Sequence, residues 1–336
     1  MTVGLDLGSA TVRFADSRRG VVVREPSVIA DGLVGEAAYV VGTEAERMLG
    51  RAPSSIQAVR PVSGGVVSAP LAVAELLRVL WGKFGTGWRY LGPRPQLVAA
   101  VPARITAAQE QALRRALAVA GFPRVRLIAK PVAAALGAVE TTGLAHATTV
   151  VAIGAETTEV ASLAPGIVVC ENLALGGRQF DQAIVIFLRE RHGLEVDARE
   201  AERVKRQVCT AHPQGDELRG QVYGREIESG LPYTVTVTGG ELRAAVAAPL
   251  EALAGLVWRV LDTTPPGLST DLLTHGLTLT GGGARLRHLD LFLAERTGMK
   301  VRLADHPEDC TVLGLLKTLQ SMESVEADLE PESEET

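Results

Sequence analysis

The feature that constrains this chain most is a repeat. The first copy is Gly4-Leu5-Asp6-Leu7-Gly8-Ser9-Ala10-Thr11, an apolar run into a tight turn that leaves through the alternating residues 12–15. The second is Val150-Val151-Ala152-Ile153-Gly154-Ala155-Glu156-Thr157-Thr158. Setting Gly154 on Gly8 also sets Thr157 on Thr11, an offset of 146 residues. Each copy reads as strand–turn–strand. One copy alone also reads as an ordinary hairpin; two predict a duplicated α/β fold with nucleotide phosphates pinched between the halves. Gly8 permits close approach of a phosphate, and turn N–H groups can cradle it. Asp6 can hold a hydrated Mg²⁺, an ion that keeps several waters and needs few carboxylates. The second copy is damaged, because Ala152 stands where Asp6 predicts a carboxylate.

At 336 residues and 46% hydrophobic, the chain suits two domains or two halves of one duplicated fold. A net charge of −5 supplies no basic footprint, which argues against nucleic acid as a partner. No apolar run reaches bilayer length, and no signal peptide opens the sequence. Cys170, Cys209 and Cys310 lie far apart without a CxxC and read as reduced core residues of a cytosolic protein. The expected boundaries are residues 1–145, residues 146–322, and an acidic tail over 323–336. The tail has no core-forming pattern and reads as disordered.

Further along, Thr106 and Gln109 form a capping box that opens a helix over 107–120, ended by Gly121. Lys130-Pro131 opens an alanine-rich helix whose small residues allow close packing. Gly176 and Gly177 precede a helix expected over 182–191. A helix over 201–208 places Glu202 and Lys205 one turn apart, a surface ion pair on the simplest reading. Residues 241–261 read as a long helix interrupted at Pro249. Gly281, Gly282 and Gly283 end a strand in a turn suited to a phosphate or nucleoside, or to close packing.

Trp81, Phe84, Trp88 and Tyr90 fall within ten residues of a chain only 4% aromatic, among Gly, Pro, Lys83, Arg89 and Arg94. Either these rings pack beneath a loop, or residues 81–94 form an interfacial membrane anchor.

The ordered set Asp-Leu-Gly-Ser (6–9), Arg-Glu-Pro-Ser-Val (24–28), Ile-Ala-Lys-Pro-Val-Ala-Ala-Ala-Leu-Gly-Ala (128–138), Gly-Gly-Arg-Gln-Phe-Asp (176–181), Gly-Leu-Pro (230–232) and Leu-Thr-Gly-Gly-Gly-Ala (279–284) resembles the MreB family of bacterial actins. The similarity covers residues 3–319. It implies an actin-like duplicated fold, two α/β domains around a nucleotide cleft with ATP or ADP and Mg²⁺. It also implies self-association into filaments at the inner membrane face of a cytoplasmic protein, in company with wall-synthesis membrane proteins. Carried over residue by residue, Asp6, Gly8 and Ser9 match the first phosphate loop, and Gly154, Thr157 and Thr158 the surviving part of the second. Gly176 and Gly177 match the family's glycine pair, Glu202 and Lys205 its adenosine contacts, and residues 280–284 its adenosine loop. Trp88, Tyr90 and Leu91 match its membrane-insertion loop.

The departures cluster at the γ-phosphate end. Ala152 replaces the second-loop Asp, and Ala155 and Glu156 replace glycines. Lys130 replaces the Glu that positions the attacking water. Arg178 replaces the acid after the glycine pair, Thr11 and Val12 replace Asn-Thr, and Leu315-Leu316 replace Thr-Gly. One expectation is a paralogue that keeps the fold and partner surfaces, with no intact catalytic residue, beside a hydrolysing paralogue. A fully active ATP-hydrolysing MreB and another ATPase of the wider sugar-kinase and chaperone superfamily are the alternatives. On the first reading Lys130 lies near the γ-phosphate, supplying some of the missing metal charge, or pairs with Glu156.

Overall fold

The computed structural model describes residues 2–31, 39–50, 56–84, 96–138, 147–165 and 167–327. They divide into two compact units, one from residues 1–144 with 309–336 and one from residues 145–308.

In the first unit, Thr2–Leu7 is the middle strand of a five-stranded sheet and is buried along its length. It pairs antiparallel with Thr11–Asp16, which pairs with Gly20–Pro26; on its other side it runs parallel to Gln96–Val101, followed by Val125–Ala129. Strand alternation sends Val3, Leu5 and Leu7 to one face, against Phe14, Leu76, Leu77 and Leu117. Fully buried side chains of this kind contribute about 1.5–3 kcal/mol each. The helices Pro70–Phe84 and Ala107–Val119 cover that face, the second held by the capping box on Thr106 and Gln109. Gly4 points to the opposite face, where a Cβ would lie 3.3 Å from Leu315 Cβ.

That opposite face is covered by the helices Lys130–Ala138 and Cys310–Ala327. They cross at glycines: a Cβ on Gly137 would collide with the Cys310 carbonyl, and one on Gly314 with the Ala133 carbonyl. The small residues of the alanine-rich helix do permit close packing. They also correct a boundary, because residues 309–322 were expected in the second domain. Leu315 and Leu316 instead bury beside Ala15, Val98, Ala100 and Ala133, so the chain returns to the first unit. The helix runs through Ala327, so the disorder expected from residue 323 does not begin there; residues 328–336 lie outside the described residues.

The second unit repeats the sheet. Its strand order is Ile167–Leu173, Thr158–Ala164, Thr148–Ile153, Leu277–Thr280, Val301–Leu303, with the same sequence of antiparallel and parallel pairings. The helices Gly177–His192 and Ala247–Thr263 join its core through Phe180, Ile184, Leu188, Leu253 and Val257. A hairpin of Arg219–Glu226 and Pro232–Thr238 forms a smaller sheet with Leu194–Glu195. The expected break at Pro249 falls earlier. Gly239–Ala245 and Ala247–Thr263 meet at Val246 with a bend of 61°, and Pro249 sits in the first turn of the second helix, where its missing N–H costs nothing. Among the described residues no single helix is long and apolar enough to cross a membrane. None of the three cysteines, all among the described residues, is in a disulfide; Cys209 and Cys310 are buried and Cys170 half-buried.

The aromatic segment divides. Trp81 belongs to the last turn of Pro70–Phe84, and its ring packs 5.4 Å from Phe14 and 5.6 Å from Phe122, centroid to centroid. It is half-buried and packs against the core of the first unit, which removes it from the expected anchor. Trp88, Tyr90 and Leu91 lie outside the described residues.

Candidate functional site

The two turns that open the sequence argument have the same geometry. Gly8 N–H donates to the Thr11 carbonyl at 3.0 Å, and Gly154 N–H donates to the Thr157 carbonyl at 2.8 Å. A Cβ on either glycine would lie 3.0 Å from that same carbonyl oxygen. Around the first turn, the Ser27 hydroxyl donates to Gly8 O at 2.5 Å, and Ser9 Oγ accepts from Gly65 N–H at 3.2 Å. Around the second, Thr158 is buried and donates its hydroxyl to Leu175 O at 2.7 Å, so it holds the turn rather than presenting a free hydroxyl. Thr157 is half-buried.

In the first unit the carboxylate of Asp6 is surrounded by cations. Lys130 Nζ lies 3.0 Å from its Oδ1, an ion-pair contact too oblique for a hydrogen bond, and Arg13 lies 3.7 Å from its Oδ2. Arg13 stands directly opposite Asp6 in the hairpin register and directly opposite Arg24 on its other side. Asp309 bridges the two arginines, accepting from Arg13 Nε at 3.2 Å and from Arg24 Nη2 at 2.6 Å. Burial opposes the charge on Asp309, but the two guanidiniums outweigh it and hold its carboxyl below the ordinary range. The result is a chain of alternating charge, Lys130–Asp6–Arg13–Asp309–Arg24.

In the second unit Glu156 forms an ion pair with Arg178. The helix Gly177–His192 begins five residues earlier than the expected 182, because the Gln179 side chain accepts from Gly176 N–H at 2.7 Å and caps it. Gly177 N–H and Arg178 N–H donate to Gly154 O and Ala155 O at 3.0 and 2.8 Å. Gly176 is required by this approach, since a Cβ there would sit 2.6 Å from the Glu156 nitrogen. Lys205 reaches the same helix start, donating to Gly177 O at 2.9 Å and pairing with Asp181 at 2.7 Å. Burial raises the Asp181 pKa, with Lys205 opposing. Glu202 pairs with Arg206 at 2.5 Å, so the surface ion pair read between Glu202 and Lys205 is replaced by two others.

The triple-glycine turn divides by role. Gly281 has φ +82° and, like Gly283, is packed against Ile153 so tightly that a Cβ would collide. A Cβ on Gly282 would meet nothing within 4 Å. Close packing explains two of the three glycines, and Gly282 is the one left open to a ligand.

The residues around Asp6 do not fit a bound Mg²⁺, because Lys130 and Arg13 approach its two carboxylate oxygens and would repel the ion. Sequence reasoning missed Arg13, Arg24 and Asp309. The signal for Arg13 was available, because a turn closed by Leu7 opposite Val12 sets Arg13 opposite Asp6.

Two units with one strand order, each with a glycine turn after its central strand, define an actin-like protein. The chain belongs to the MreB/Mbl family, whose model, described as MreB/Mbl protein, matches residues 1–327. It is 35% identical over 333 residues to the cell shape-determining protein MreB of Escherichia coli, covering 97% of this chain and 95% of that one. Its structure is similar to MreB5 of Spiroplasma citri bound to AMPPNP, at a TM-score of 0.87 and 26% identity over 98% of both chains. The same MreB5 bound to ADP gives a TM-score of 0.88. The MamK double helical filament shares the fold, at a TM-score of 0.78 and 22% identity over 95% of this chain and 98% of that one. This is a bacterial actin of the cell-shape class.

Proposed function

We propose that this chain is a filament-forming bacterial actin that binds adenine nucleotide, works at the inner membrane face in shape determination or wall synthesis, and does not hydrolyse ATP. The observation that carries the last point is the Lys130–Asp6 contact of 3.0 Å. Where the family resemblance places a carboxylate to align water, this chain has an ammonium, which accepts no proton while charged and is already engaged by Asp6. Loss of such positioning costs on the order of a hundredfold or more. Glu156, paired with Arg178, adds a carboxylate where the family has glycine. Nucleotide binding is supported by the AMPPNP- and ADP-bound relative and by the open edge at Gly282. Self-association is supported by the family and by the filament of MamK. The membrane role rests on Trp88, Tyr90 and Leu91, and a hydrolysing paralogue in the same polymer fits a subunit that cannot cycle by itself.

Sedimentation tests the assembly and membrane parts. The chain should pellet as polymer with ATP, and should co-sediment with anionic liposomes more strongly than a Trp88→Ala, Tyr90→Ala variant. A chain that stays in the supernatant under all conditions, alone or with a paralogue, would remove the filament reading. Equal liposome pelleting of both forms would remove the membrane reading.

A further inference from the structure

We propose that Lys130 is a tethered cation in place of the divalent ion, so that this chain binds adenine nucleotide without metal. The inference rests on the nucleotide-binding part of the function above and deepens it. Asp6 is 4% exposed and lies beneath Lys130, whose side chain is 23% exposed. An incoming anion therefore meets the ammonium before the carboxylate. Lys130 is also the first residue of the nine-residue helix Lys130–Ala138. A cation there is opposed by the helix dipole, and the Asp6 carboxylate offsets that opposition. Pro131, the second residue, has no N–H, so the ammonium adds to the positive end of the helix dipole and the two act in the same sense on a phosphate.

The charges around Asp6 point the same way. A divalent cation drawn to Asp6 would enter beside an ammonium 3.0 Å from one carboxylate oxygen and a guanidinium 3.7 Å from the other. Like charges at that range repel, most strongly where water is excluded. A phosphate chain meets the reverse situation. Its negative charge is matched by a cation that is part of the polypeptide and needs no recruitment from solution.

Calorimetric titration of ADP into the intact chain tests the proposal, once in EDTA and once in excess Mg²⁺. The expected dissociation constants agree within about threefold. Lys130→Gln should weaken ADP binding in EDTA by about tenfold or more, and Lys130→Glu should make binding depend on Mg²⁺. Thermal melts of both variants establish that they are folded, and the wild-type comparison stands without them. Tightening of wild-type binding by about tenfold or more with Mg²⁺ would overturn the proposal. So would the absence of ADP binding in either buffer, an outcome that leaves polymer formation to be judged by its own pelleting assay.

Discussion

Glu156 and Arg178 are partners, an acid in place of a glycine paired with a base in place of an acid, on two segments that the backbone already joins through Arg178 N–H and Ala155 O. Two departures from the family pattern thus offset each other within one unit. In the other unit the departure Lys130 is offset by Asp6, which matches the family pattern. Unrelated losses would leave buried or half-buried charges facing nothing of opposite sign. Here each new charge has an opposite one, as expected of a site remodelled while the fold was kept.

That pairing is measurable. Glu156→Ala and Arg178→Ala should each lower stability by about 1 kcal/mol, with a coupling of about 0.5–1 kcal/mol in a double-mutant cycle. Urea midpoints of the four proteins provide the measurement. Strictly additive losses would show that the two side chains act independently.

Asp309 sets an acid limit. Its folded pKa lies below the unfolded value because Arg24 and Arg13 outweigh the effect of burial. Its contribution is therefore complete above the unfolded Asp value of about 3.9 and is lost as pH falls through the lower folded value. Asp309→Asn should lower the melting temperature near neutrality by about 4–8 °C, corresponding to about 2 kcal/mol. The gap between the two proteins should close as pH falls below the unfolded value and through the lower folded one. A gap independent of pH would assign the loss to packing.

The three glycines of the last turn should separate. Gly281→Ala faces both a positive φ and a collision with Ile153, and Gly283→Ala faces the collision. Each should cost about 3 kcal/mol or more. Gly282→Ala should stay within about 0.5 kcal/mol of wild type while weakening ADP binding. Equal destabilisation by all three substitutions would contradict the division of roles.

Much of this was legible in the chain. The repeated strand–turn–strand announced the duplicated sheet, and residues 128–138 with 176–181 carried the family. The Thr106–Gln109 box set its helix start, because a local hydrogen bond depends on few neighbours. Less legible were features decided at long range. Asp309 reaches Arg13 across 296 residues, and no local pattern announces that bridge. The return of residues 309–327 to the first unit follows from the fit of Gly314 against Ala133, which only the packed pair of helices displays. The contact of Lys130 with Asp6 was not legible either, because the sheet delivers Lys130 there from the end of Val125–Ala129, two strands away.

Phosphate release at saturating ATP tests the central claim most directly, with the wild type measured beside a variant carrying Lys130→Glu, Ala152→Asp, Ala155→Gly and Glu156→Gly. The expected result is no release above background from the wild type, and turnover from the variant. Wild-type turnover comparable to that of the Escherichia coli relative, measured in parallel, would contradict the reading and return this chain to the ordinary ATP-hydrolysing bacterial actins.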